Sequence, residues 1–550
     1  MKHKWRWAAA SLAILGMGAV AVRQFGAGIP SFIAELRNPI ARNHPVDWQQ
    51  GPKTPAVGNR PPNVLLIVAD DLGYNDISLN GGGIAGGIVK TPNIDSIART
   101  GVDFTTGYAG NATCSPSRAA MMTGRYPTRY GFEFTAVPSS FAWAVGHAKS
   151  DGPYPLIYHR ELDHDLIDYP QMGVPASEIT IAETLKARGY HTIHLGKWHL
   201  GEADALAPHG QGFDESLGFR AGGSKYLHQR DPDAVNARLP WDPIDRFLWP
   251  NLPYAVQYNN SKRFEPKGHM TDYLTDNAIA AIKANRNRPF FMYLAYNAPH
   301  TPLQATRADY DALPAIKDHK TRVYGALVRQ LDRRIGDVLA TLRQQGLDRN
   351  TLVIFTSDNG GAWYDGIPDL NKPYRGWKAT FFEGGIRVPM FMAWPGRIPA
   401  GTSVATPASH LDFFATIAAV TGAAMPTDRV MDSTDVLAGI VPGLPPSRRS
   451  APLFWRSGEY RVVRDGDWKL QVSARPQKMW LYNLATDPTE RANLADREPV
   501  RVAALRSELA DHDKGMAKPL WPGLIEAPVR IDVPLNAPWT KGQEYIYWTN

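Results

Sequence analysis

Cysteine is nearly absent from this chain, whose 550 residues contain only one, Cys114. A single thiol excludes an intrachain disulfide and any metal site built from several cysteines. Secreted eukaryotic proteins of this size usually carry disulfides, so the composition favours an exported bacterial protein, if the chain is exported at all.

The chain also lacks a run of basic residues. Lysine and arginine number 60 against 53 aspartates and glutamates, and the first six residues supply three of the positive charges. A nucleic-acid-binding surface needs clustered positive charge, so we expect no nucleic-acid partner. Low-complexity tracts are missing as well, and with 43% hydrophobic residues the composition excludes wholesale disorder.

The apolar run near the N-terminus is short. It extends from Trp7 to Val22 behind a basic segment, whereas a membrane-spanning helix needs roughly 20 residues. Ala19-Val20-Ala21 has the small-x-small pattern of a signal peptidase site. We predict that residues 1–21 are a signal peptide, with an uncleaved N-terminal membrane tether as the alternative. Either reading implies export, which we assign to the bacterial periplasm.

Apolar runs alternate with helical patterns after a Pro- and Gly-rich lead-in segment at residues 22–62. Such alternation predicts an α/β fold with a mixed, mostly parallel sheet between helices, and we assign this catalytic domain to residues 63–445. Short runs separated by turn residues then predict antiparallel hairpins, followed by a helix and an aromatic, Pro-rich tail. We therefore predict a small C-terminal α+β domain with an antiparallel sheet at residues 446–550. The strands predicted in the first domain are 64–69, 192–195, 290–296, 352–356 and 390–394.

Polar side chains gather just after four of these predicted strands. In an open α/β sheet, ligands bind beyond the carboxyl ends of the strands, so we expect these residues to meet at one edge. Carboxylate and amide oxygens suit Ca²⁺ or Mg²⁺ and not zinc, and they are supplied by Asp70, Asp71, Asp358 and Asn359. Donors and acid–base groups are supplied by Lys197, His199, His300 and Lys378. A cation flanked by such donors predicts a site for an oxyanion such as sulfate or phosphate.

The single cysteine precedes a predicted helix, in the sequence Cys114-Ser115-Pro116-Ser117-Arg118. A nucleophile at a helix N-terminus, four residues before an arginine, is well placed for anion chemistry. The alternative is a buried, inert thiol. The neighbouring oxyanion site favours the nucleophile.

These motifs resemble those of type I, formylglycine-dependent sulfatases, which are arylsulfatase-like members of the alkaline-phosphatase superfamily. The similarity runs from about residue 63 to 495 and rests above all on the Cys-x-Pro-x-Arg motif at 114–118. It implies an alkaline-phosphatase-like fold and the hydrolysis of aryl or carbohydrate sulfate monoesters to alcohol and inorganic sulfate. It also implies two partners, a sulfated small molecule or glycan as substrate and a maturation enzyme that oxidises Cys114 to formylglycine.

The same resemblance implies a role for each site residue. The formylglycine hydrate formed from Cys114 would attack sulfur, and its second hydroxyl would then expel sulfate by C–O cleavage. The metal, Ca²⁺ with Mg²⁺ as the alternative, would be bound by Asp70, Asp71, Asp358, Asn359 and the modified Cys114. The other roles would be divided among Arg118 (orienting the hydrate), Lys197, His300 and Lys378 (binding sulfate oxygens, with His300 or Lys378 protonating the leaving alcohol) and His199 (the base that releases sulfate).

Two alternatives to a sulfatase remain open from the sequence. One is a phosphonate or phosphate ester hydrolase of the same superfamily, and the other is a non-catalytic, sulfoglycan-binding scaffold. Substrate choice is expected to depend on two segments rich in aromatic residues, Phe132–Gly173 and Ala221–Pro266.

Overall fold

The computed structural model describes residues 39–55, 60–149, 152–444 and 451–550. The predicted signal peptide, most of the lead-in segment and the proposed boundary at 445/446 lie outside these residues. Within them, no helix combines the length and the apolar content needed to cross a membrane.

The strands and helices of the described residues are numbered here in chain order. The strands are β1 (Asn63–Asp70), β2 (Val102–Phe104), β3 (Gly107–Tyr108), β4 (Ile157–Tyr158), β5 (His191–Lys197), β6 (Glu215–Phe219), β7 (Ala234–Ala237), β8 (Gln257–Tyr258), β9 (Phe290–Pro299), β10 (Leu303–Thr306), β11 (Thr351–Ser357), β12 (Met390–Ala393), β13 (Thr402–Val404), β14 (Ala408–Ser409), β15 (Leu453–Ser457), β16 (Tyr460–Asp465), β17 (Trp468–Ala474), β18 (Gln477–Asn483), β19 (Ile525–Arg530) and β20 (Tyr545–Thr549). The α-helices are α1 (Ile84–Gly87), α2 (Pro92–Arg99), α3 (Cys114–Thr123), α4 (Ser139–Gly146), α5 (Ile181–Ala187), α6 (Pro243–Asn251), α7 (Met270–Ala284), α8 (Arg307–Asp311), α9 (His319–Gln344), α10 (Glu383–Ile386), α11 (Asp412–Thr421) and α12 (Pro499–Asp513).

A nine-stranded mixed sheet forms the centre of the molecule, in the order β13-β2-β12-β11-β1-β9-β5-β6-β8. The five neighbouring strands β11, β1, β9, β5 and β6 are parallel, whereas β12 and β8 run antiparallel to their neighbours. The predicted mixed, mostly parallel sheet is therefore confirmed.

Strand β1 shows why the sheet lies between two helical layers. All eight of its residues are buried, and successive side chains alternate between two apolar cores. Leu65 and Ile67 pack in the core that includes α7 and α9, and Leu66 and Val68 pack in the core that includes α3, α5 and α11. A continuous apolar run is the pattern that burial on both faces requires.

The C-terminal part contains a four-stranded antiparallel sheet, β15-β16-β17-β18, with α12 packed against it. This agrees with the predicted hairpins and helix. The Pro-rich tail differs from the prediction, because β19 and β20 form a three-stranded sheet with β4. Pro528 lies within β19, and prolines argue against a strand when only the sequence is considered. Tertiary pairing overrides that local signal here.

Candidate active site

The register of the parallel strands brings the predicted residues to one edge of the sheet. Ala69 of β1 is paired with Ser357 of β11, and Asp70 with Pro299 of β9. Since each strand ends at this level, the residues that follow meet directly above the sheet. Lys197 ends β5, which is the next parallel strand beyond β9.

Two lysines contact the two adjacent carboxyl groups after β1. Lys197 Nζ lies 2.7 Å and 2.9 Å from the two oxygens of Asp70, and Lys378 Nζ lies 2.7 Å from Asp71 Oδ2. Burial raises the pKa of Asp70, with Lys197 opposing the shift. Burial also acts to raise the pKa of Asp71, but Lys378, His300 and Lys197 outweigh it and the net shift is downward. Lys378 thus favours the ionised form of Asp71, and Lys197 acts in the same direction on Asp70.

A third ion pair crosses the floor of the site. Arg118, which is fully buried in α3, donates from Nε to Asp358 Oδ2 at 2.9 Å, and its Nη2 lies 2.8 Å from the same oxygen as an ion pair. A weaker contact of 3.4 Å joins Arg118 to Asp70. Three carboxyl groups and three cationic side chains are therefore packed together in the described residues, which requires that each be paired.

Cys114 begins α3, as predicted, and faces the same cluster. Its Sγ lies 3.6 Å from Asp71 Oδ1, and the residue is 2% exposed. Burial raises the pKa of the thiol, so the unmodified side chain is a protonated, weak nucleophile. His300 Nε2 lies 3.6 Å from Asp71 Oδ2.

Four side chains of this cluster could together hold a metal ion. One ligand atom from each of Asp70, Asp71, Cys114 and His300 lies within 4.8 Å of the others. Asn359 Oδ1 is buried and has no hydrogen-bond partner among the described residues, while its Nδ2 donates to Asp71 Oδ1 at 2.8 Å. A buried oxygen without a donor is costly, and a cation would satisfy it. Asp358, a predicted ligand, is outside the four-residue group and is held by Arg118.

His199 is a buried, neutral imidazole with one unpartnered ring nitrogen among the described residues. Its Nε2 lies 2.9 Å from the carbonyl oxygen of Ala136, so Nε2 carries the proton, and Nδ1 is buried without a partner among the described residues. Burial and then Lys197 lower the pKa of His199 well below its usual range. The ring fits because Gly222 has no side chain, since a Cβ there would lie 2.7 Å from Nε2.

Strained backbone conformations occur at, or directly next to, three of these site residues. Asp71 and His199 have φ of 61° and 60°, and Ala379, next to Lys378, has φ of 70°. A side-chain-bearing residue adopts this left-handed region at a cost of about 1–2 kcal/mol. Such strain concentrates at functional sites, where the surrounding structure holds it in place.

Tyr364 is a site residue that sequence reasoning missed. Its hydroxyl lies 2.9 Å from Asp71 Oδ2 and 3.0 Å from Lys378 Nζ, and its side chain is buried. The sequence feature that could have identified Tyr364 is its position in the loop that follows β11, a few residues after Asn359. Its contacts make it a second support for the Asp71 carboxylate.

A cavity of about 390 Å³ opens onto this cluster. Cys114, His199, His300 and Lys378 lie at one end of it. Both segments expected to determine substrate choice contribute to its walls, through residues such as Phe141 and Phe247. Trp548 and Asn550 also line it, although the sequence indicated only an aromatic, Pro-rich tail there.

Asp76, beneath the loop at 70–73, is expected to make stability depend on pH. Its Oδ2 accepts from the backbone N–H of Gly73 and from the hydroxyl of Tyr324, and burial raises its pKa to about 8. The unfolded carboxyl has a pKa of about 4, so the stabilisation from proton uptake is complete below about pH 4 and is lost as pH rises through about 8. Asp76→Asn should therefore gain stability relative to the parent between about pH 5 and pH 8, by up to several kcal/mol. Urea unfolding at about pH 5 and about pH 8 measures the free energy of unfolding of both proteins. The same difference between variant and parent at the two pH values would contradict the prediction.

Comparison with known proteins agrees with this geometry. The family described as Sulfatase matches residues 62–423. N-acetylgalactosamine-6-sulfatase of Canis lupus familiaris is 33% identical over 73% of this chain and 69% of its own length, and arylsulfatase A of Homo sapiens is 31% identical over 79% and 83%. The crystal structure of Ps i-CgsB in complex with k-i-k-neocarrahexaose is similar with a TM-score of 0.69 and 30% identity, over 84% of this chain and 95% of that one. The chain therefore belongs to the sulfatase family, as a type I sulfatase of the alkaline-phosphatase superfamily that hydrolyses sulfate esters.

Proposed function

We propose that this sulfatase acts on sulfate monoesters through a formylglycine formed from Cys114, beside a bound Ca²⁺. The observation that carries the proposal is the position of Cys114. It lies at the first turn of α3, 3.6 Å from a carboxylate of the oxygen-rich cluster and at the end of a substrate-sized cavity.

The cation would be held by Asp70, Asp71, Asn359 and Asp358. These are oxygen donors, and the unpartnered Oδ1 of Asn359 favours a hard cation over zinc. When bound, the cation would polarise the sulfate group and offset its charge. The charge balance supports this assignment, because the three carboxyl groups pair with the three cationic side chains, and a divalent cation would then balance the sulfate dianion that is released.

The formylglycine hydrate, when present, would supply the attacking oxygen and a second hydroxyl whose deprotonation releases sulfate. Arg118 is the residue suited to orient that group, because it lies one helical turn after position 114 and is fixed by Asp358. His199 would take the proton through Nδ1, since its Nε2 is committed to Ala136. A neutral imidazole with one free nitrogen is the form that a general base requires.

Lys378, Lys197 and His300 would bind the sulfate oxygens and protonate the leaving alcohol. Burial acts to lower the pKa of Lys378, but Asp71 together with Cys114, Tyr364 and Asp70 outweighs it and the net shift is upward, so this ammonium keeps its charge. Burial lowers the pKa of His300 to about 4, so this ring is neutral at physiological pH. The two side chains line the cavity with Cys114, which is the placement that a leaving-group donor needs.

Mass spectrometry and kinetics together test this function. The tryptic peptide 100–118 from protein expressed with a formylglycine-generating enzyme should carry an aldehyde in place of the thiol. The kcat/KM for an aryl sulfate should exceed that for the matching aryl phosphate and phosphonate by at least about 100-fold, or about 3 kcal/mol in transition-state stabilisation. A thiol in fully active protein would overturn the nucleophile. A preference for the phosphorus esters would favour the phosphonate or phosphate hydrolase, and no turnover of modified protein would favour the binding scaffold.

We also propose that the protein is exported to the periplasm through residues 1–21. The basic segment, the short apolar run and the small-x-small site support this. N-terminal sequencing of protein recovered from the periplasm of the expression host should begin at residue 22. An intact N-terminus in the membrane fraction would instead support the tether.

Tyr364→Phe is expected to weaken metal binding and turnover by about 10- to 100-fold without unfolding the protein. The change removes one hydroxyl that contacts both Asp71 and Lys378 and leaves the ring in place. Ca²⁺ titration and kcat measured across Ca²⁺ concentrations test it. Excess Ca²⁺ should restore part of the activity, and an unchanged Ca²⁺ affinity would contradict the supporting role. Tyr296→Phe, which removes a buried hydroxyl bonded to Thr275, is the matched control.

A further inference from the structure

The cavity beside Cys114 is lined by the polar side chains of the site and otherwise mainly by apolar side chains. The polar end consists of the sulfate-handling side chains already described. Farther out, the walls come from α4 and the segment before it, from α6 and the residues after it, and from Trp363 and Trp548. A sulfate ester bound at the polar end would therefore place its alcohol portion against the apolar walls.

Two phenylalanines form the centre of the apolar wall. Phe141 of α4 and Phe247 of α6 meet edge to face, with ring centroids 5.3 Å apart, and are 8% and 7% exposed. Leu248 and Leu252 extend this surface along the same side. Rings in this arrangement pack well against another apolar ring and gain from its removal from water.

Several polar side chains of the cavity walls are already engaged within the protein, although Thr135 Oγ1 is buried without a hydrogen-bond partner among the described residues. Asn550 pairs through its side chain with the backbone of Thr135, and Asn251 Nδ2 donates to the carbonyl of Phe247 at 2.8 Å. The Tyr169 hydroxyl accepts from the N–H of Gly222 at 3.3 Å. A sugar buried here would leave several hydroxyl groups without partners, at about 1–3 kcal/mol for each.

Basic side chains that could bind a polyanionic chain line a different groove. Lys225, His228 and Arg230 lie around that groove, which meets the cavity only at Leu252 and Pro253. Within the outer part of the cavity, Arg263 is the cationic residue among those described, and it interacts with the buried carboxyl of Glu202. The cavity thus offers little recognition for further sulfate or carboxylate groups.

We propose that the preferred substrate is the monosulfate of a hydrophobic ring alcohol, aryl or alicyclic, and not a sulfated sugar. The proposal rests on the proposed function, since the cavity is a substrate site only if position 114 is the nucleophile. The volume of about 390 Å³ lies within the range of pockets that enclose a whole small ligand.

The sharpest test compares two esters with the same kind of leaving group. Cyclohexylmethyl sulfate and galactose 6-sulfate both carry a primary sulfate next to a six-membered ring, and they differ in the hydroxyl groups of that ring. Sulfate release from both is measured by ion chromatography with the modified, Ca²⁺-loaded enzyme. We expect a kcat/KM at least about 30-fold higher for the cyclohexyl ester, and 2-naphthyl sulfate should exceed phenyl sulfate by about 10-fold.

Phe247→Asn tests whether the apolar wall determines substrate preference, independently of general activity. It should raise KM for cyclohexylmethyl sulfate by about 10-fold and change KM for galactose 6-sulfate by less than about 3-fold. Phe391→Leu, a buried change in β12 outside the cavity, is the matched control and should leave the ratio of the two esters unchanged. If Phe247→Asn is unstable, Phe247→Leu with the phenyl and naphthyl pair provides the same comparison.

The outcomes distinguish this proposal from the one on which it rests. Equal or better turnover of galactose 6-sulfate, or of a polysulfated oligosaccharide, would overturn the apolar substrate while leaving the sulfatase function intact. If protein with modified Cys114 released sulfate from none of the esters, the proposed mechanism would instead be overturned.

Discussion

Cys114→Ser should abolish sulfate release while leaving the fold intact, with kcat lowered by about four orders of magnitude or more. A serine at this position could form a sulfate ester, but it has no second hydroxyl to expel the sulfate by C–O cleavage. Water would then have to attack the ester itself, a much slower route. Turnover of an aryl sulfate by enzyme expressed with the maturation enzyme measures the loss. Circular dichroism and thermal unfolding measure the fold.

Two further variants make this result specific. Cys114→Ala removes the precursor altogether and should match the serine variant within experimental error. Met121→Leu, a volume-conserving change in the same buried helix, should retain activity within about 3-fold and so controls for disturbance of α3. Undiminished turnover by Cys114→Ser would remove the formylglycine mechanism from consideration.

The sequence correctly predicted which residues meet at the sheet edge where each of them lies at the end of a buried strand. Asp70 ends β1 and Lys197 ends β5, so an apolar run followed by a polar residue located each of them. The parallel register then brings these residues together, because the carboxyl ends of neighbouring parallel strands lie at one edge of the sheet. Cys114 was located by a local pattern as well, a helix start followed by an arginine.

Residues brought in by long-range packing were harder to predict. The Tyr364 hydroxyl contacts Asp71 across a separation in sequence of nearly 300 residues. No hydrophobic periodicity around Tyr364 indicates that contact. The same holds for Trp548 of β20, which lines the cavity because β20 pairs with β19 and β19 in turn pairs with β4 at Ile157 and Tyr158. A two-residue strand has too little pattern to be recognised, and its pairing is determined by the packed core rather than by its own sequence.

The balance of charges around Asp71 predicts the second large effect. Asp71→Asn should abolish Ca²⁺ binding at the site and lower kcat by about 1,000-fold or more. It should also cost about 3–5 kcal/mol in the free energy of unfolding, because Lys378 would remain buried without its carboxylate 2.7 Å away. Calorimetric Ca²⁺ titration of the mature enzyme and urea unfolding measure the two effects.

Asp332→Asn separates loss of the metal from loss of stability. Asp332 is as deeply buried as Asp71 and accepts three hydrogen bonds from Asn93 and Ile94, away from the site. Its replacement should lower stability by about 1–3 kcal/mol and leave Ca²⁺ affinity and kcat unchanged. Added Ca²⁺ should raise the melting temperature of the parent and of Asp332→Asn through binding to the folded state, but not that of Asp71→Asn. Equal stabilisation of all three proteins would show that Asp71 is not a ligand, and the unpartnered oxygen of Asn359 would then need another explanation.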